Sequence, residues 1–194
     1  MEIGEILYVT DRSEWRQWLQ EHCSDSHDIW LVYYNKKSGK PRIPYNDAVE
    51  EALCFGWIDS IIKSLDSACA VQRFSPRKKN SKLSEANKER IRRLVREGKM
   101  TDYGLKAVVH HLPEGFLNNN NEEPQFEFSI PEDILTELQA NPDVLLNFEK
   151  FSDSYKRVRI GWIDGARIRP DEFRKRLNYF IKMTSKNKMY GMIK

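Results

Sequence analysis

The feature that most constrains this fold is a change of hydrophobic rhythm across one segment. Ahead of Pro113 the chain alternates helical with strand-like patterning; after Ser129 only the helical period recurs. The segment between, PEGFLNNNNEEPQ (113–125), holds two prolines, a glycine and four consecutive asparagines, which is the composition of a linker. With 194 residues the chain can bury a sizeable core as one domain plus an appendage, or as two small domains. The expected fold class is α+β. A mainly antiparallel sheet packed with helices takes residues 1–115, a linker 116–128, and a small helical module 129–194.

Within the first half, Ile6 to Val9 is a short β-prone run, and Thr10 or Asp11 can N-cap the helix that follows. Trp15, Trp18 and Leu19 share one face of that helix and read as core. Ile29 to Tyr34 is nearly continuously apolar, as a central strand would be. Pro44 opens a helix whose apolar stripe is Tyr45, Ala48, Val49, Ala52, Leu53 and Phe55, with Asp47, Glu50 and Glu51 outside it, and Gly56 stops it. Trp57 to Ile62 and Ala68 to Phe74 then form a hairpin, and period-two alternation puts Trp57, Asp59 and Ile61 on one face.

Asp59 is the unusual acid, because a carboxylate flanked by Trp57 and Ile61 needs a partner. Arg73 or Arg77 is the expected one. Arg73, Arg77, Lys78, Lys79 and Lys82 crowd ahead of a helix that begins near Ser84, and runs on through Ile91, Leu94 and Val95 to Gly98. Free N–H groups at a helix start, with arginines beside them, favour an anion. The candidate ligand site is therefore Trp57, Asp59, Arg73, Arg77, Lys78 and Ser81. A solvated basic loop is the bland alternative.

No residue pattern marks a catalytic centre, a metal site or a cofactor. Cys23, Cys54 and Cys69 are odd in number and form no CxxC pair, which suits a reducing cytoplasm rather than a disulfide framework. Cys54 as a nucleophile would need a base and a lowered pKa, yet it sits at a helix C-terminus. The net charge of +3 is too small to argue for nucleic acid by itself. Local clustering leaves that open, since Lys156, Arg157, Arg159, Arg167, Arg169, Arg174, Lys175 and Arg176 fall in the helical half. There is no signal-peptide pattern and no apolar run long enough to span a membrane, so no membrane insertion is expected. The tail, 184–194, is polar and reads as frayed.

Three stretches, ALCFGWIDS, RFSPRKKNSKLSEANKERIRRLVREGKMTDYG and IPEDILTELQANPDVLLNFEKFSDSYKRVRIGWIDGARI, together resemble the YdeI/OmpD-associated (OmdA, bacteriocin-protection) family, over about Trp15 to Ile181. Leu83 departs from the tryptophan usual there, and Glu172-Phe173 from a Thr-Arg pair. The resemblance implies a bacterial protein of stress or antimicrobial-peptide resistance and supplies no catalytic residues. The reading that follows is a non-catalytic protein binding a small anion or a protein partner through the Trp/Asp/Arg site. Its alternative is nucleic-acid binding by the basic loop 73–82 and the C-terminal basic helices.

Overall fold

The computed structural model describes residues 2–113, 115–116 and 129–191. These fall into two units, Met1–Lys82 with Arg90–Leu117, and Leu83–Glu89 with Asn118–Lys194. Apart from Phe116, the segment expected as a linker lies outside the described residues.

Alternation of branched and aromatic residues builds the N-terminal sheet. Its strands are β1 (Ile6–Leu7), β2 (Ile29–Tyr34), β3 (Trp57–Ser64) and β4 (Cys69–Pro76), in the order β1-β2-β4-β3. The short β1 runs parallel to β2, while β2 with β4 and β4 with β3 are antiparallel. The fold is thus α+β with a mainly antiparallel sheet, and β2 is an interior strand as its unbroken apolar run requires.

Helix α1 (Arg12–His22) starts on Asp11, whose carboxylate accepts from the backbone N–H of Ser13 and Glu14. It packs beside α2 (Tyr45–Cys54), and α2 packs on β3. Trp15 is fully buried between them: its ring stacks on Trp18 at 5.3 Å, meets Phe74 edge-on at 5.5 Å, and its indole N–H donates to the Ala48 carbonyl at 3.0 Å. Glu50 and Glu51, expected outside the stripe, are buried. The reason is a set of cations on neighbouring helices. Glu51 accepts from Arg12 Nε at 2.8 Å and Arg16 Nη1 at 2.7 Å, and Glu50 accepts from Arg12 and Arg93. A buried carboxylate is tolerated only with such pairing.

Helix α3 (Glu85–Arg96) begins as expected, with Ser84 Oγ accepting from the Asn87 N–H at 3.3 Å. It buries Arg90 along with Ile91 and Leu94, and Val95 is only half-buried. Helix α4 (Asp102–Val108) follows, capped by the Thr101 hydroxyl.

In the second unit, α5 (Glu132–Gln139), α6 (Pro142–Glu149), α7 (Asp153–Asp164) and α8 (Pro170–Thr184) enclose their own core of Ile134, Leu138, Val144, Phe148, Tyr155, Ile163, Leu177 and Phe180. Asn141 caps α6 and Ser152 caps α7. The tail does not fray as far as Gly191. Thr184 is buried, and Tyr190 packs back against Trp162, Tyr179 and Phe180. Aromatic area outweighs the polar composition that suggested fraying. Residues 192–194 lie outside the described part. The tetrapeptide Gly-Trp-Ile-Asp occurs in both units, on β3 and on α7, so it marks no structural repeat.

Candidate functional site

The register of the hairpin decides which residues can meet. Asp59 stands opposite Phe74 and Ile62 opposite Gln72, so Ser60 and Ile61 together face the single residue Arg73. This is a bulge, and it resets the alternation. Asp59 and Ile62 therefore share a face with Gln72 and Phe74, whereas Ile61, expected beside Asp59, leaves that face and is exposed. Arg73 is in register with Trp30 and points to the opposite side of the sheet, where its Nε donates to Asp28 at 2.6 Å. The Asp59–Arg73 pairing expected from sequence is corrected on this ground. Asp59 instead accepts from the Tyr45 hydroxyl at 2.8 Å and from Gln72 Nε2 at 3.0 Å.

The remaining expected site residues scatter. Trp57 is fully buried, edge-on to Trp18 at 5.7 Å, with its indole N–H donated to the Cys23 carbonyl. It is a core residue and not the wall of an open site. Arg77 is buried and donates through Nη1 to the carbonyls of Ser81 and Lys82, which ties Ser81 to it through the backbone alone. Its Nε and Nη2 have no hydrogen-bond partner, and burial pulls its pKa down while the Asp59 charge opposes this. Lys78 is exposed. Asp59 and Arg77 thus interact at a distance, while Arg73 lies on the other face of the sheet and Trp57 in the core, so the six do not converge.

A different cleft lies on the Asp59 side of the sheet. It has a volume of about 520 Å³ and is walled by Tyr33, Arg42, Tyr45, Ile62, Ala70 and Gln72, among others. The strand residues of the wall are there by register. Tyr33 is in register with Ala70 on β4, and the first residue of α2, Tyr45, reaches over to Asp59. By accepting from both Tyr45 and Gln72, Asp59 fixes two of the walls. The Tyr33 hydroxyl is buried without a partner, and burial raises its pKa. Tyr45 is pushed up to about 12, first by burial and then by the Asp59 charge. Both phenols therefore remain protonated, and the Tyr33 hydroxyl is a donor with nothing to donate to. At the rim Arg42 is exposed and held by one bond, Nη1 to the Tyr34 carbonyl at 3.1 Å. Sequence reasoning missed Tyr33, Arg42, Tyr45 and Gln72. A lone amide in the run AVQRF was the available signal, parallel to that of Asp59.

Residues 7–107 match the family model described as "Domain of unknown function (DUF8412)", which is just over half of the chain. The chain belongs to the DUF8412 family. Residues 127–187 match the model described as "Bacteriocin-protection, YdeI or OmpD-Associated" (OmdA), so the helical unit is an OmdA module. The OmdA likeness is thus narrower than the sequence suggested: two of the three stretches quoted above, 52–60 and 73–104, lie in the DUF8412 part. Searches of curated proteins and of solved structures return no match. The cleft, with Tyr33, Arg42, Tyr45 and Gln72, lies within the DUF8412 residues. At family level the OmdA module is described by bacteriocin protection. Among the described residues no helix is long and apolar enough to cross a membrane, and no cluster of His, Cys, Asp and Glu could hold a metal ion.

Cys54, the one residue weighed as a nucleophile, is fully buried, and its thiol is pushed up to about 11 by burial, with the Glu51 charge adding. A thiol raised in the folded state stabilises the fold below its unfolded pKa, and that stabilisation is lost as pH climbs. The loss should therefore run from the ordinary value of 9.0 to about 11. The expected result is that Cys54 resists a thiol reagent at neutral pH until denaturant is added, and that Cys54→Ala flattens the alkaline fall of the denaturation midpoint. Rapid labelling of native Cys54 at neutral pH would contradict this.

Proposed function

We propose that this is a non-catalytic, cytoplasmic protection protein whose DUF8412 domain binds a small amphiphilic anion, a carboxylate or a phosphate monoester, in the Tyr33/Tyr45/Gln72 cleft. One observation carries the reading: Tyr33, whose buried hydroxyl has no acceptor among the described residues, lines a roughly 520 Å³ cleft that Arg42 also lines. The donor and the cation fit an anionic head, and Tyr45, Ile62 and Ala70 offer apolar surface to its body. The buried, high-pKa thiol of Cys54 supports a binding role over thiolate chemistry. Three free, buried cysteines support a reducing compartment. Among the residues expected at first, Asp59 keeps a part here as the anchor of Tyr45 and Gln72. Arg77 contributes at most charge from a distance.

Nucleic acid is the weaker reading, because four of the module's arginines are already held by carboxylates. Arg157 meets Glu89 at 3.0 Å, Arg167 meets Asp133 at 2.8 Å, Arg174 meets Glu137 at 3.0 Å and Arg176 meets Glu172 at 2.8 Å. The test is a titration of the full chain with benzoate, inorganic phosphate and a short oligonucleotide, followed by calorimetry. Benzoate or phosphate should saturate one site. Arg42→Ala and Tyr33→Phe should each weaken binding by about tenfold, the worth of one charge-assisted hydrogen bond. Arg73→Ala and Arg174→Ala should leave it unchanged. If neither small anion binds, the cleft reading falls. If only the oligonucleotide binds, with a steep salt dependence and a requirement for Arg174, nucleic acid takes its place.

A further inference from the structure

The OmdA module holds a second arrangement that the cleft reading does not use. Arg159, on α7, is buried, yet no carboxylate among the described residues comes within ion-pair distance of it, in contrast to Arg157, Arg167, Arg174 and Arg176. Its guanidinium lies against three rings instead, 5.5 Å from the Tyr155 centroid, 5.8 Å from Trp162 and 4.9 Å from Tyr190. Such contacts stabilise a cation but do not supply an acceptor. Its Nε has no hydrogen-bond partner among the described residues.

One of the three rings comes from the C-terminal tail. Tyr190 inserts between Trp162 at 6.1 Å, Tyr179 at 4.8 Å and Phe180 at 6.5 Å, and its backbone N–H donates to Tyr155 Oη at 3.1 Å. Its own hydroxyl is buried beside the Arg159 guanidinium, which works against the rise in its pKa that burial causes. The next residue must be small: Gly191 has φ of +85°, and a Cβ there would stand 2.7 Å from Arg159 Nη2. The tail therefore fills the groove with ring area and close backbone, and leaves the buried Arg159 Nε without an acceptor among the described residues. Leaving such groups unpaired is costly.

We propose that the groove formed by Tyr155, Arg159, Trp162, Tyr179 and Phe180 is a recognition site for an acidic peptide carrying an aromatic residue, and that Met189–Gly191 occupies it as an internal stand-in. The aromatic side chain of the partner takes the place of Tyr190. Its adjacent carboxylate gives Arg159 an acceptor that Met189–Gly191 do not supply. Competition from the tail lowers the apparent affinity by the fraction of molecules in which the groove is open.

The experiment uses the full chain and fluorescently labelled synthetic peptides: Asp-Tyr-Gly with blocked ends, and controls in which Asp becomes Asn or Tyr becomes Ala. Tyr190→Ala removes the stand-in from the groove. It should bind the Asp-Tyr-Gly peptide about tenfold tighter than the wild type does, and about tenfold tighter than either control. Adding Arg159→Gln should abolish the preference for Asp over Asn. Gly191→Ala is the second variant, since it dislodges the tail from Arg159 without touching the rings. If Tyr190→Ala fails to fold, Gly191→Ala carries the comparison. Equal affinity in wild type and opened variants would overturn the proposal, as would no binding at all. Loss of the helical fold in both variants would also overturn it, because the tail would then be core.

Discussion

Trp15→Ala should destabilise the N-terminal unit by about 3–5 kcal/mol, the largest loss expected from a single truncation in this chain. Trp15 is fully buried and loses three things at once: the stack on Trp18, the edge contact with Phe74, and the hydrogen bond to the Ala48 carbonyl. The last of these leaves a helix carbonyl of α2 facing a cavity. Because Ala48 lies one turn from Tyr45, the loss should also loosen the wall of the cleft. Urea unfolding followed by circular dichroism gives the stability, and benzoate titration gives the effect on the cleft. A midpoint within error of the wild type would show that α1 is not anchored by this residue.

Gly104→Ala should cost about 2 kcal/mol or more, although alanine is the better helix former by roughly 1 kcal/mol. A Cβ at position 104 would stand 2.1 Å from the Cys54 carbonyl oxygen and 2.6 Å from its carbon. Both are backbone atoms, so no rotamer change can relieve the contact. The same carbonyl accepts from the Thr101 N–H at 3.1 Å and from its hydroxyl at 2.6 Å, so separating α4 from α2 would break the junction that caps both helices. A thermal melt of the variant is the check. A gain in midpoint would mean that α4 can slide away at no cost and that the close approach has no structural role.

What could be read from the chain was whatever depends on neighbours in sequence. Asp11 caps α1 and Ser84 opens α3 because a short polar side chain can reach its own backbone. Gly56 closes α2 at a φ of +70°, where other residues are strained. The period of 3.6 beyond Ser129 foretold the helical unit. What could not be read depends on partners far apart in the chain. The pairing of β2 with β4 put Arg73 on one face and Asp59 on the other, and no pattern within either strand announces that choice. The bulge after Asp59 broke the alternation from which its neighbours were inferred. Glu50 and Glu51 looked solvated because the arginines that neutralise them lie 35 to 43 residues away. Tyr33 and Arg42 carry no local signature of a site at all.

The bulge has a consequence for the protein at high concentration. β3 is an edge of the sheet, and Ile61, Ile62 and Leu65 are exposed along it and its turn. A straight edge of that composition would accept a strand from another molecule and begin a growing stack. Two residues set against one bend the strand and put its N–H and C=O groups out of step with any incoming partner. At the other edge, β1 has two residues, too few to template anything. Deleting either Ser60 or Ile61 would straighten β3, and light scattering should then rise with time faster than in the wild type.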